Sequence, residues 1–218
     1  RRVCASVTPA SSGWVVRATS PYRAVADLKG ARVPSEFTAG RTFHYLAGGA
    51  LAASGLSWKD VRGIPAPEYV AGMEMLIENR VDAAYSTVGV AVAQRAMASI
   101  DGGIRFLSID ASGDVNERIQ SVMPAAETTQ LRPSDANNGI VADPTHLIRM
   151  QFVLVASEDT DPDLVYELTR KLHESKPALV GALGAFKRFD PDAMARQLPV
   201  PFHEGAIRFY KEAGLLKD

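Results

Sequence analysis

The stretch Ser35-Glu36-Phe37-Thr38-Ala39-Gly40-Arg41-Thr42 gathers two threonine hydroxyls, a glycine and a guanidinium where a β-prone run gives way to a helical one. A helix start leaves its first amides without backbone partners, so together with Thr38, Arg41 and Thr42 it suits a carboxylate. It does not suit a nucleoside triphosphate: GxxxxGK[ST] would need Gly at Ser35 and Lys at Arg41. The same residues also fit a plain capped helix with Arg41 in solvent, and the segment alone leaves both readings open. A second junction, Tyr85-Ser86-Thr87-Val88-Gly89, places hydroxyls at a strand end entering a helix. They could face a cleft, cap the helix, or do both.

Other chemistry finds little support. His44, His146, His173 and His203 are widely separated, none in HExxH, and His203-Glu204 lacks a second histidine at the required interval, so no metal is expected. No serine sits in GxSxG, and Cys4, the lone cysteine, can form neither an internal disulfide nor a CxxC pair. The expectation is no catalytic residue, no cofactor and no enzyme. With 24 Lys plus Arg against 25 Asp plus Glu, the chain lacks the basic field that nucleic acid demands. No apolar run approaches the roughly 18 to 20 residues that span a bilayer, so direct membrane insertion is not expected.

Elements to position these residues can be read from period and punctuation. Residues 3–7 and 14–17 read as two short strands separated by the turn-prone Pro9-Ala10-Ser11-Ser12-Gly13. Ser20-Pro21 opens a short helix that ends at Gly30, and a brief strand follows at 31–33. Phe43, Leu46, Ala47, Ala50 and Leu51 mark one buried helical face, stopped by Gly55. Strands at 61–64, 81–86 and 104–109 alternate with helices near Met73 and at about 90–99, the pattern of βαβ units around a largely parallel sheet. Such sheets bind ligands beyond the carboxyl ends of their strands. Residues 123–144, with the turn-forming Asn137-Asn138-Gly139, read as a loop. A strand at 151–157 and a helix opened by Asp161-Pro162 follow, then short helices interrupted by Pro191, Pro199 and Pro201. Pairing the first strands with the last helices gives one lobe from 1–20 with 151–218 and a second from 21–150.

Three segments carry a resemblance. Ala26-Asp27-Leu28-Lys29-Gly30-Ala31-Arg32-Val33, Arg80-Val81-Asp82-Ala83-Ala84-Tyr85 and above all Pro201-Phe202-His203-Glu204-Gly205-Ala206-Ile207-Arg208-Phe209-Tyr210-Lys211-Glu212-Ala213-Gly214-Leu215 resemble the TAXI family of TRAP-transporter solute receptors. Its members typically end His-Pro-Gly-Ala-Ile, then aromatic residues and Lys-Glu-x-Gly; Glu204 here replaces the proline. The likeness covers nearly the whole chain. It implies an α/β, type II periplasmic-binding-protein-like fold: two lobes joined by crossing strands at 14–19 and 152–157, with a helical C-terminal tail and a ligand held between the lobes. It also implies a periplasmic protein that hands a small carboxylate or amino acid to the membrane permease subunits of a TRAP transporter, without ATP. Lobe closure would couple capture to delivery, because the ligand favours the closed population.

The resemblance further implies a βαβ portion of about 70 to 90 residues ahead of this chain, which would leave the lobe of 1–20 with 151–218 incomplete. By position, Gly40 stands where a ligand-binding serine is often found, while Thr42 keeps its place. Expected ligand contacts are therefore Thr38, Gly40, Arg41 and Thr42 from one loop, Tyr85, Ser86 and Thr87 from another, and His146 in the stretch leading back to the second crossing strand. A ligand-sensing effector domain of a regulatory or signalling protein is the alternative, favoured by an attached helix-turn-helix or signalling domain.

Overall fold

The structure, a computed structural model, describes residues 1–133, 140–141, 144–182 and 184–216. In order, the chain forms β1 (Arg2–Arg17), β2 (Arg32–Glu36), α1 (Arg41–Ala53), β3 (Arg62–Ala66), α2 (Tyr69–Ile77), β4 (Ala83–Thr87) and α3 (Ala91–Ser99). Then come β5 (Ile104–Phe106), α4 (Val115–Gln120), β6 (Glu127–Leu131), β7 (Thr145–Ala156), α5 (Pro162–Glu174), α6 (Lys176–Ala182) and α7 (Glu204–Glu212). The chain is thus mixed α/β with a helical C-terminal tail. It divides into two units, Ser11–Met150 and Arg1–Ala10 with Gln151–Asp218. β1 and β7 each contribute residues to both.

In the unit Ser11–Met150, β1 pairs antiparallel with β4 from Ser12↔Thr87 to Val16↔Ala83 and with β5 from Val15↔Phe106 to Arg17↔Ile104. β6 and β7 are antiparallel, and the sheet order is β4-β1-β7-β6. β2 and β3 form a separate parallel pair. The expected largely parallel pattern is thus met by β2 and β3, whereas β4 and β5 run antiparallel to β1 and β6 antiparallel to β7. The pleat sends Trp14, Val16, Ala83 and Tyr85 into one apolar cluster and Val15, Ala84 and Leu147 into another, so both faces of the larger sheet are covered.

Three local expectations are corrected. Pro9 and Gly13 do not break β1, which runs through them as one strand. Pro9 lies ahead of the β4 ladder, which begins at Ser12, and Gly13 answers a close approach: a Cβ there would sit 2.6 Å from Leu147 Cδ2. Ser20-Pro21 opens no helix; a 3-10 turn begins at Val25 instead, because the Asp27 carboxylate accepts from the amides of Arg23 and Ala24 at 2.6 and 2.9 Å. The stretch 123–144 is not all loop, since β6 pairs there with β7 from Glu127↔Arg149 to Leu131↔Thr145; residues 137–139 of the expected turn lie outside the described residues.

The unit formed by Arg1–Ala10 and Gln151–Asp218 has its own core of Cys4, Ala5, Val165, Phe189, Met194, Ala206, Phe209 and Tyr210. Asp161 caps α5 through the Asp163 amide, and His203 caps α7 through Gly205. Tyr166 meets Phe209 edge-on at 6.0 Å, and Arg208, 2.7 Å from Asp163, lies 4.5 Å over the Tyr166 ring. Phe152, Val153, Val155, Leu164 and Leu168 remain exposed.

Candidate functional site

The site begins at the carboxyl end of the parallel pair. Beyond Ser35, Glu36 and Phe37 take left-handed φ values of 69° and 45°. Such backbone costs non-glycine residues on the order of 1 to 3 kcal/mol each. Phe37 is fully buried, and its amide donates to the Ser35 carbonyl at 2.8 Å. That anchorage holds the turn and leaves Glu36 in solvent. The Ala39 amide donates to the Pro67 carbonyl at 2.9 Å, tying the loop to the one that opens α2.

α1 then starts with Gly40 as N-cap and no side-chain cap, so its first-turn amides have no side chain of the cap to satisfy them. A Cβ on Gly40 would lie 3.6 Å from Phe43 and 3.8 Å from the Glu68 Cβ, placing Glu68 beside the loop. Phe43 stacks on Tyr69, the first residue of α2, at 4.3 Å and 25°.

Glu36, Thr38, Arg41 and His44 line one concavity of about 330 Å³, the size range of small-molecule sites. Arg41 and His44 are three residues apart on α1 and so share a face. Arg41 Nη2 reaches the Tyr45 hydroxyl at 3.5 Å, and both Arg41 and Tyr45 are exposed. Among the described residues neither Arg41 nor Glu36 has an ion-pair partner. His44 stacks on Trp58 at 4.7 Å and 11°, and its Nδ1 is buried without a hydrogen-bond partner. Burial first, and the Arg41 charge second, hold its imidazole below the ordinary 6.5.

The expected residues divide. Thr38 and Arg41 line the concavity, and Gly40 and Thr42 belong to the same turn. Tyr85 and Ser86 are in the interior. β4 is covered on both faces: Tyr85 lies edge-on to Trp14 at 5.5 Å, its hydroxyl is 2.9 Å from Ser12 Oγ, and burial pushes its phenol well above the usual range. Thr87 is half-buried at the β4 end. His146 sits in β7 opposite Gln130, its amide donating to Ser108 Oγ at 3.0 Å, and is not among the residues lining the concavity. Glu36, His44 and Glu68 were not singled out as ligand contacts. The helical spacing from Arg41 could have found His44; nothing local flags Glu36, whose placement depends on an unusual turn.

No group of three or more His, Cys, Asp or Glu able to hold a metal occurs among the described residues, and no described helix is long and apolar enough to cross a membrane. Solved structures similar to this chain include a TctC solute binding protein from Polaromonas, 14% identical over 98% of this chain and 69% of that one, with a TM-score of 0.49. The periplasmic aliphatic sulphonate binding protein SsuA from Escherichia coli is 19% identical over 99% of this chain and 55% of that one, with a TM-score of 0.41. The substrate binding protein of an amino acid ABC transporter is 13% identical over 85% of this chain and 58% of that one, with a TM-score of 0.39. Against the last two, the chain spans well under two thirds of the other protein's length. The model of the NMT1-like family matches residues 2–214, nearly the whole sequence, and the chain belongs to that family.

Proposed function

We propose that this chain is part of an extracytoplasmic solute-binding receptor, not an enzyme, that captures a small organic anion, an amino acid or other carboxylate. We infer further, from the TAXI-like ending Pro201 to Leu215, that it serves the membrane permease of a TRAP-type secondary transporter. The observation that carries the reading is the concavity where Thr38 and Arg41 meet the uncapped start of α1 beyond the carboxyl end of β2. A guanidinium without an ion-pair partner, beside a helix start that no side chain caps, suits a carboxylate better than a neutral solute. Two strands shared between two units, with a helical tail, also accord with a type II periplasmic-binding-protein-like architecture. Thr42 would add a hydroxyl at the same turn and Gly40 would leave room for the ligand. Tyr85, Ser86, Thr87 and His146 would supply further contacts.

The test is thermal unfolding of the full-length protein with a panel of amino acids and mono- and dicarboxylates. Ligand at a hundred times Kd is expected to add about 2.7 kcal/mol. Arg41→Gln should remove most of that gain while leaving the unliganded Tm within a degree or two, since Arg41 is exposed. Unfolding curves that no member of the panel shifts would overturn the receptor reading.

A further inference from the structure

The concavity that holds Arg41 also holds Glu36, and these two opposite charges do not pair with each other. A structural ion pair would have brought them together. Here the left-handed turn at Glu36 and Phe37 instead holds Glu36 at the strand end while Arg41 projects from the first residue of α1. Glu68 stands beside Gly40 across the narrow gap that the missing side chain leaves, and it too has no ion-pair partner among the described residues. Among the described residues, the charged side chains at this turn are thus two carboxylates and one guanidinium. The remaining titratable neighbour, His44, is held toward its neutral form and adds no standing positive charge.

A ligand with only negative charge would meet Arg41 favourably and both glutamates unfavourably. A ligand with an ammonium beside its carboxylate would satisfy both signs. Resting on the receptor reading above, we infer that the site is specific for an α-amino carboxylate, its carboxylate at Arg41 and the α1 amides and its ammonium at Glu36. Glu36 is then the residue that separates amino acids from their amine-free counterparts. Glu68 reinforces the same preference from the far side of Gly40.

The experiment titrates the full-length protein with each standard L-amino acid and with matched acids that lack the amine, glutarate against L-glutamate and succinate against L-aspartate. At least one L-amino acid is expected to bind about tenfold or more tightly than its amine-free counterpart. Its N-acetyl derivative should lose that advantage, a result that does not depend on any variant folding. Glu36→Gln should bring the amino acid to within about threefold of the amine-free acid without weakening the latter. If an amine-free acid binds as tightly as the best amino acid, or if the preference survives Glu36→Gln in a protein with wild-type circular dichroism, this inference is overturned and the receptor reading stands. If neither class binds, both fall.

Discussion

At the scale of single residues, His44 links the site to the stability of its unit. Its ring is sandwiched against Trp58 and its Nδ1 is unpartnered, so charging it in the folded protein costs more than in the unfolded chain. Because the folded pKa lies below the ordinary 6.5, the unfolded chain takes up the proton first as pH falls. This contribution to stability is therefore complete above about pH 6.5 and is lost as pH drops through that value, with a slope of at most about 1.4 kcal/mol per pH unit. Urea midpoints at about pH 7.5 and 5.5 should differ less for His44→Phe than for the wild type; equal differences would remove His44 as a cause. Residue type singled out Arg41 and Thr38 as candidates at a strand-to-helix junction, and both line the concavity there. It does not reveal the burial of Tyr85 at the other junction, where the pleat, set by pairing with Trp14, turns the ring inward. Glu36 was beyond reach since its position follows from two successive left-handed residues that no local signal demands.

Among the elements, helices with one apolar face were readable and strand partners were not. α1 and α5 fall where spacing and capping put them, Gly55 at φ 73° closing the first and Asp161 capping the second. Pairing direction is a long-range property: β4 and β5 could lie antiparallel to β1 only if β1 ran on past Gly13, and the reason it does, room for Leu147 of β7, is more than a hundred residues away. The packing of α7 on α5 rests on a similar approach. A Cβ on Gly205 would overlap the Pro162 carbonyl oxygen and come within 2.9 Å of the Tyr166 amide nitrogen, both backbone atoms that cannot rotate away. Helix propensity favours Ala over Gly by about 1 kcal/mol, yet overpacking costs typically about 1 to 3 kcal/mol and more where, as here, the clash is with backbone that cannot give way. Sterics should win: Gly205→Ala is expected to destabilise by at least about 2 kcal/mol in denaturant unfolding. A neutral or stabilising result would mean that the two helices pack less closely than described.

For the molecule as a whole, the apolar clusters respect the division of the chain. Two lie within Ser11–Met150, and the third, around Met194 and Tyr210, lies within Arg1–Ala10 and Gln151–Asp218. The second unit is the leaner of the two, with eight buried residues in its cluster and large apolar side chains such as Leu164, 60% exposed, and Phe152, 51% exposed, outside it. Stability in such a chain is expected to be uneven, the unit with fewer buried contacts opening at lower cost. β1 and β7 work against that independence because each runs through both units. Met194→Ala distinguishes the two effects. Met194 is fully buried, and its truncation should cost about 2 to 5 kcal/mol. If the cores are separate, amide exchange should quicken in residues 1–10 and 151–216 while protection in 11–150 holds, with the change along β1 and β7 falling near Ala10 and Met150. Faster exchange spread evenly over all four stretches of sheet would show instead that the shared strands make the chain one cooperative body, whatever the separation of its cores.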